Sequence, residues 1–290
     1  MKQLVSMKEM ITDAFQKHYA VPQININNLE WVQAILKQAQ KDRSPVILGV
    51  SMGAKKYMGS YKLIRNLVLD TMQAYEIDIP VALHLDHGDF ENVKEATDEE
   101  FSSIMYDGSK LSFEENLKLS QAVSKMCKEK NLSLEIEVGP IGGYEDGIST
   151  QGEKADVNQC LKMIEEVELD VLAASIGNIH GLYPKNWEGL DFKLLEEIAS
   201  KTKKPLVLHG GSGIDDLQVK KAISLGVSKV NVNTECQVAF TEALLDYFSH
   251  HHDLDSKKTY DPRNYLKEGM EAIQKVCHEK FLLFGSINRY

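Results

Sequence analysis

The stretch Pro80-Val-Ala-Leu-His-Leu-Asp-His-Gly88 decides how this 290-residue chain is read. Its first half is almost wholly apolar, as a strand buried on both faces should be. Its second half gathers two histidines and an aspartate at the strand's end. Strand alternation places His84 and Asp86 on one face and Leu85 on the other, with His87 falling where the strand gives way to loop. Buried parallel strands that end in titratable side chains are the pattern of barrel enzymes, whose sites sit at the C-terminal rim.

Outward from this stretch the same unit recurs. Strands are predicted over Ala20–Asn25, Pro45–Val50, Pro80–Leu85, Ser102–Asp107, Ser133–Val138, Val171–Ser175, Pro205–His209 and Lys229–Asn233. Amphipathic segments alternate with them, such as Leu29–Lys41, where Trp31, Ile35 and Leu36 recur at helical spacing. Phe113–Lys128 and Leu190–Lys201 read the same way. Eight strand–helix units joined by right-handed crossovers predict one (β/α)8 TIM barrel of the α/β class over residues 1–290, with a C-terminal helical extension. An open doubly wound sheet would prefer a glycine-rich turn after its first strand, and Gln23-Ile-Asn-Ile-Asn27 is not one. Two segments stand outside the repeat. Gly139–Ala155 is glycine-rich and reads as a long functional loop. His250–Tyr260 is polar, and its three consecutive histidines read as an exposed surface cluster.

Composition narrows the function. The formal net charge of −10, with no basic cluster, argues against a nucleic-acid partner. A small phosphorylated substrate stays compatible, because it needs only a few amides and one or two cations. No apolar run approaches the roughly 18 residues of a membrane span. Cys127, Cys160, Cys236 and Cys277 form no CxxC pair, and read as reduced packing thiols of a cytoplasmic protein.

The chemistry gathers at the predicted strand ends. His84, Asp86 and His87 end the third strand, Asp107 the fourth, and Glu135 and Glu137 lie in the fifth. His180 follows the sixth and His209 ends the seventh. Neutral imidazoles converging from separate strands suit zinc with an open position, so His87, His180 and His209 are the expected ligands, while His84 stays ambiguous. Asp86 is either a general acid/base or a carboxylate that orients a ligand imidazole. After the seventh strand, His209-Gly-Gly-Ser-Gly213 lets the backbone approach an anion, and Asn231-Val-Asn-Thr234 supplies further donors. Barrels commonly hold phosphate in those two loops.

These motifs occur in register along nearly the whole chain: INNLEW, SMGAKKYMG, HLDHG, FEEN, LEIEVGPIGGYED, HGLYP, HGGSGI, NVNTE, YDPRNYL and GSINR. Together they resemble the class II, zinc-dependent fructose-bisphosphate and tagatose-bisphosphate aldolases. The resemblance implies a catalytic Zn2+ on His87, His180 and His209. It gives Glu137 and Asp107 an alternative or additional metal position, for a second divalent or a monovalent cation. It implies that Asp86 exchanges a proton with the C4 hydroxyl, and that Glu145 takes the C1 proton of dihydroxyacetone phosphate. Gly181, Gly210, Gly211, Ser212, Asn231, Val232, Asn233 and Thr234 then form the dihydroxyacetone phosphate site, with Asn25 and Ser51 contacting substrate. Arg263 and Arg289 are implied to meet the distal phosphate, one from a neighbouring subunit of a homodimer or homotetramer. Lys110, Ser112 and Asp89 depart from the family's His, Pro and Ser at those positions.

NVNTE and YDPRNYL favour a fructose over a tagatose bisphosphate substrate. A zinc hydrolase would use similar strand ends but has no need for the phosphate cradle. A non-catalytic phosphosugar-binding protein would have no need for Asp86.

Overall fold

The computed structural model describes residues 3–145, 147–252 and 257–290. Eight parallel strands close the barrel: β1 Val21–Asn25, β2 Val46–Val50, β3 Val81–Gly88, β4 Ser103–Tyr106, β5 Ser133–Val138, β6 Val171–Ala174, β7 Leu206–Leu208 and β8 Val227–Val232. Each pairs with its neighbours in sequence, and β1 pairs with β8 to close the ring. The period-two alternation of each strand builds the interior in layers. Near the strand starts, Val21, Ile47, Ala82, Val171 and Val207 form an apolar cluster, sealed from below by Met7, Met10 and Ile11 around the helix Lys8–Lys17. One step further along, the same faces carry Gln23, His84, Glu135 and Lys229, all buried. A further step brings Asn25, Asp86, Glu137, His209 and Asn231 to the C-terminal rim. The opposite strand faces, with Ile24, Leu48, Leu83, Leu85 and Ile104, pack on the helices in the larger outer core.

The helices start where the sequence supplies oxygen caps for their free N–H groups. Asn28 accepts from Trp31 N at 3.1 Å, and Asp89 from Asn92 N at 2.8 Å. Ser112 and Glu115 form a reciprocal capping box. Asp191 caps the helix predicted from Leu190, which therefore begins at Phe192.

Three expectations are corrected. The Gly139–Ala155 segment is not all loop: Gly142–Glu145 and Ile148–Thr150 form an antiparallel hairpin, and the first of these strands also pairs parallel with Ile179–His180. The eighth strand starts two residues earlier than predicted, and Asn233 is already the cap position of the next helix. His87 lies inside β3 rather than beyond it. It adopts φ +50° at a register irregularity between Leu85 and Gly88. Such a bulge turns two consecutive residues toward one side, which alternation alone forbids.

After β8 the chain forms a helical arm. Thr234–His250 packs on Pro262–Phe284, with Phe240 against Gly269 and Phe248 against Tyr265. Among the described residues no helix is long and apolar enough to cross a membrane.

Candidate active site

Three histidines converge at the barrel mouth. A ligating nitrogen of His87, of His180 and of His209 all lie within 4.8 Å of one another. Two of the three rings are held from behind by a carboxylate. Asp107 Oδ2 lies 2.9 Å from His87 Nδ1, and Glu135 Oε1 lies 2.8 Å from His209 Nε2. Their inward nitrogens, His87 Nε2 and His209 Nδ1, meet at 3.0 Å. Carboxylate–histidine pairs that aim imidazole lone pairs at one point are what a metal centre requires. Asp107 and Glu137 also form a second candidate group with His87. The donor set of three imidazoles, two of them backed by the carboxylates of Asp107 and Glu135, fits a zinc ion.

His84 belongs elsewhere. It is fully buried one layer below, with Nδ1 2.7 Å from Ser103 Oγ and Nε2 3.6 Å from Glu135. Burial, with Lys229 nearby, pushes its pKa down to about 3, so it is a neutral interior ring.

Asp86 stands beside the histidines. Its Oδ2 accepts from Asn25 Nδ2 at 2.9 Å, and its Oδ1 is buried with no hydrogen-bond partner among the described residues. Burial raises the pKa of a carboxyl, but the charges of His87 and Lys229 outweigh it and hold Asp86 below the usual range. Glu137 goes the other way. Burial and the charge of Asp107 push it up to about 8. For His87, burial disfavours the charged ring, yet Asp107, Asp86 and Glu137 together raise its pKa well above the ordinary value. Burial lowers His180 and His209, and the positive charge expected on His87 adds to that effect.

The other half of the mouth is mostly backbone. Gly210 has φ +62°, and a Cβ there would collide with the Ile179 carbonyl, so only glycine fits. Tyr183 Oη donates to Gly210 O at 2.8 Å while accepting from Ile179 N at 3.1 Å. Gly211 N donates to Asn231 O at 2.8 Å, tying the two loops together. Asn233 gives no side-chain cap to the helix after β8. Instead Ser212 Oγ accepts from Asn233 N at 3.2 Å and Glu235 N at 3.3 Å. A cavity of about 270 Å³ spans both halves, lined by Asn25, Asp86, His180 and His209 on one side and Gly210, Ser212, Asn231 and Thr234 on the other. Tyr144 and Gly147 of the hairpin close its edge. A larger cavity of about 640 Å³ adjoins the cradle at Ser212 and Thr234 and extends against Lys220, Glu279 and Leu282, and none of the three histidines lines it.

The remaining predicted residues are distributed as follows. Gly181 lines the central cavity. Val232 is a buried core side chain and offers the site only backbone. Ser51 faces a smaller cavity with His87, Asp107 and Glu137, and its hydroxyl caps the helix Met52–Met58. The backbone of Glu145 belongs to the hairpin, but its side chain lies outside the described residues. Arg263 has a side chain 88% exposed and is paired with Asp261 at 2.7 Å, at the start of the last helix and outside the cavity. The expectation that Arg289 meets the distal phosphate is not met within this chain. Its guanidinium lies 4.3 Å over the Tyr19 ring and its backbone N–H donates to Arg43 O. Both neighbours precede strands, so Arg289 is at the opposite rim.

Sequence reading overlooked Glu135 as an orienting group and Lys229 altogether. Lys229 is wholly buried, with Nζ 2.8 Å from Glu135 Oε2 and 2.9 Å from Asn231 Oδ1. Its signal was a charged residue two places before Asn231, on the inward face of a buried strand.

The model of the class-II fructose-bisphosphate aldolase family matches residues 5–289. The chain is 52% identical over 287 residues to a fructose-bisphosphate aldolase of Mycoplasma pneumoniae, covering 99% of each. It is 51% identical over 289 residues to one of Ureaplasma parvum, covering 100% of this chain and 99% of that one. Among solved structures, the YdjI aldolase from Escherichia coli K12 superposes with a TM-score of 0.82 at 28% identity, over 99% of each chain. The fructose-bisphosphate aldolase of Campylobacter jejuni gives 0.82 at 26%, over 99% of this chain and 97% of that one.

Proposed function

Because this chain belongs to the class-II fructose-bisphosphate aldolase family, we propose that it reversibly cleaves fructose 1,6-bisphosphate to dihydroxyacetone phosphate and glyceraldehyde 3-phosphate. The observation that carries this reading is one cavity with converging imidazoles and Asp86 on one side and a glycine-built anion cradle on the other. His87, His180 and His209 would hold Zn2+, which supplies a Lewis acid for the ketone oxygen and for the negative charge left as the C–C bond breaks. Asp107 and Glu137 offer a place for an additional cation.

The chain's own residues do the rest. Asn25 holds one oxygen of Asp86, leaving the other to take the proton from the C4 hydroxyl in cleavage and return it in condensation. Glu145, whose backbone belongs to a hairpin paired to the strand of His180, would handle the proton at the triose carbon. The Gly210–Ser212 and Asn231–Thr234 loops bind the triose phosphate through amides other than those of Gly211 and Asn233, which brace the cradle from within, and without any titrating group. The central cavity then orders the reactants, and Tyr144 and Gly147 at its edge limit water.

A homodimer or homotetramer accounts for the distal phosphate. The helix Thr234–His250 leaves the site and is roughly 25 Å long at 1.5 Å per residue. Arg263 follows its far end, where Leu245 and Tyr260 are exposed apolar surface. An arm of this kind serves a neighbouring subunit's site better than its own. The four cysteines, with no CxxC pair among them, favour a cytoplasmic location.

The test is an aldol-cleavage assay with and without a chelator, followed by zinc restoration. Triose phosphate release that is abolished by the chelator and regained with zinc supports the reading. Chelator-resistant cleavage with a borohydride-trapped lysine overturns it. Comparing kcat/KM for fructose and tagatose bisphosphates tests the substrate, and the names of the relatives favour fructose.

A further inference from the structure

We propose that Lys229 is a positioning residue that fixes, through Glu135 and Asn231, which nitrogen of His209 faces the metal position and which end of the Asn231 amide faces the substrate. The inference deepens the proposed function and rests on its assignment of His209 as a ligand.

Donor and acceptor counting carries it. A lysine ammonium has three donors and no acceptor, so it is the one member of this buried group whose role cannot be reversed. It lies 2.9 Å from Asn231 Oδ1, so that atom must be the carbonyl oxygen. The amide's N–H groups are thereby turned away from Lys229, and one points at His209 Nδ1 at 3.1 Å. On its other side the ammonium lies 2.8 Å from Glu135 Oε2, and both side chains are fully buried. A carboxylate paired in this way only accepts. Glu135 Oε1, 2.8 Å from His209 Nε2, therefore requires the proton on Nε2. That leaves the His209 lone pair on Nδ1, the atom 3.0 Å from His87 Nε2.

One buried cation thus sets two things at once: the histidine tautomer that a metal needs, and the orientation of an amide in the substrate cavity. His84 does not compete for this role, since its close partner is Ser103 and it stands 3.6 Å from Glu135. Lys229 itself is excluded as a nucleophile by the same contacts. Its nitrogen is held by two oxygens and has no exposure to the cavity.

The decisive measurement needs no turnover. Nitrogen-15 histidine spectra of the metal-free wild type, with His209 assigned by its loss in His209→Ala, should show the Nε2–H tautomer. The Nδ1–H tautomer in wild type overturns the proposal at once. Lys229→Met alone strands the Glu135 charge and risks misfolding, so the second variant is Lys229→Met/Glu135→Gln, which removes both charges together. The side-chain amide that replaces the carboxylate can donate or accept, so the tautomer is no longer dictated. The expected result is a folded protein with a mixed His209 tautomer, a zinc affinity at least ten-fold weaker by chelator competition, and a raised KM after zinc saturation. Wild-type tautomer and zinc affinity in that variant overturn the proposal, whatever happens to activity. A chain that cleaves no bisphosphate but shows the expected tautomer would refute the proposed reaction while leaving the positioning role intact.

Discussion

The two halves of the mouth are built from different materials. On the β3–β5 side the working atoms belong to side chains: Asp86, His87, Asp107 and Glu137, all titratable and mutually shifted in pKa. On the β7–β8 side they belong mainly to backbone, exposed by glycines and braced by Ser212 and Tyr183. The difference follows from the two tasks. Making and breaking a carbon–carbon bond moves protons, and so needs groups whose charge can change. Holding a phosphate that remains charged throughout needs donors that never titrate. The side-chain half should therefore govern kcat and metal binding, and the backbone half should govern substrate affinity.

The largest effect tests the metal position, which the side-chain half shares with His209 at the end of β7. His209→Ala should lose both stoichiometric zinc and cleavage, seen together by metal analysis and a coupled triose phosphate assay. Zinc retained at wild-type affinity would remove His209 from the ligand set. Asp86→Ala comes next. It should keep zinc and lower kcat by about 10²–10⁴, the usual contribution of a general acid or base. Near-normal turnover would leave Asp86 as an orienting carboxylate only.

A smaller effect is expected from the backbone half. Gly210→Ala forces an ordinary residue into φ +62° against the Ile179 carbonyl, and left-handed backbone costs about 1–2 kcal/mol before the collision is counted. The chain should unfold at a lower temperature and show a KM for the bisphosphate raised about ten-fold, with kcat changed much less. If kcat falls while KM stays fixed, the division of labour between the halves is wrong.

The same division explains what could be read from the sequence. The strands were legible because several are nearly unbroken apolar runs buried on both faces and the rest keep the same spacing, and all eight lie within a few residues of their predicted places. His87, His180 and His209 were legible because strand ends in a barrel converge. The hairpin at Gly142–Thr150 was not. Its glycines carry no alternation, and it exists through pairing with Ile179–His180, far away in sequence. The bulge that turns His87 inward beside Asp86 likewise comes from register with β4 and leaves no local mark. One departure from the expected pattern has a plain local reason: Ser112 supplies a capping oxygen that Pro lacks, whereas Asp89 caps its helix as Ser also would. Lys110 has no such explanation here.

The smallest effect separates the two arginines that the sequence treated alike. Arg289 stands away from both halves of its own chain's mouth: it stacks on Tyr19, and its Nε donates to Gly285 O, at the far end of the barrel. Arg289→Ala should leave KM for the bisphosphate within two-fold and cost about 0.5–1 kcal/mol of stability, the size of an exposed cation–π contact. Arg263→Ala, at the end of the helical arm, should instead raise KM without changing stability, because its side chain is 88% exposed and pairs with Asp261 beside it in sequence. Steady-state kinetics and thermal unfolding of the two variants, side by side, decide between them. A KM rise in Arg289→Ala with none in Arg263→Ala would mean that subunits meet the site through the opposite rim. The arm would then need a different explanation.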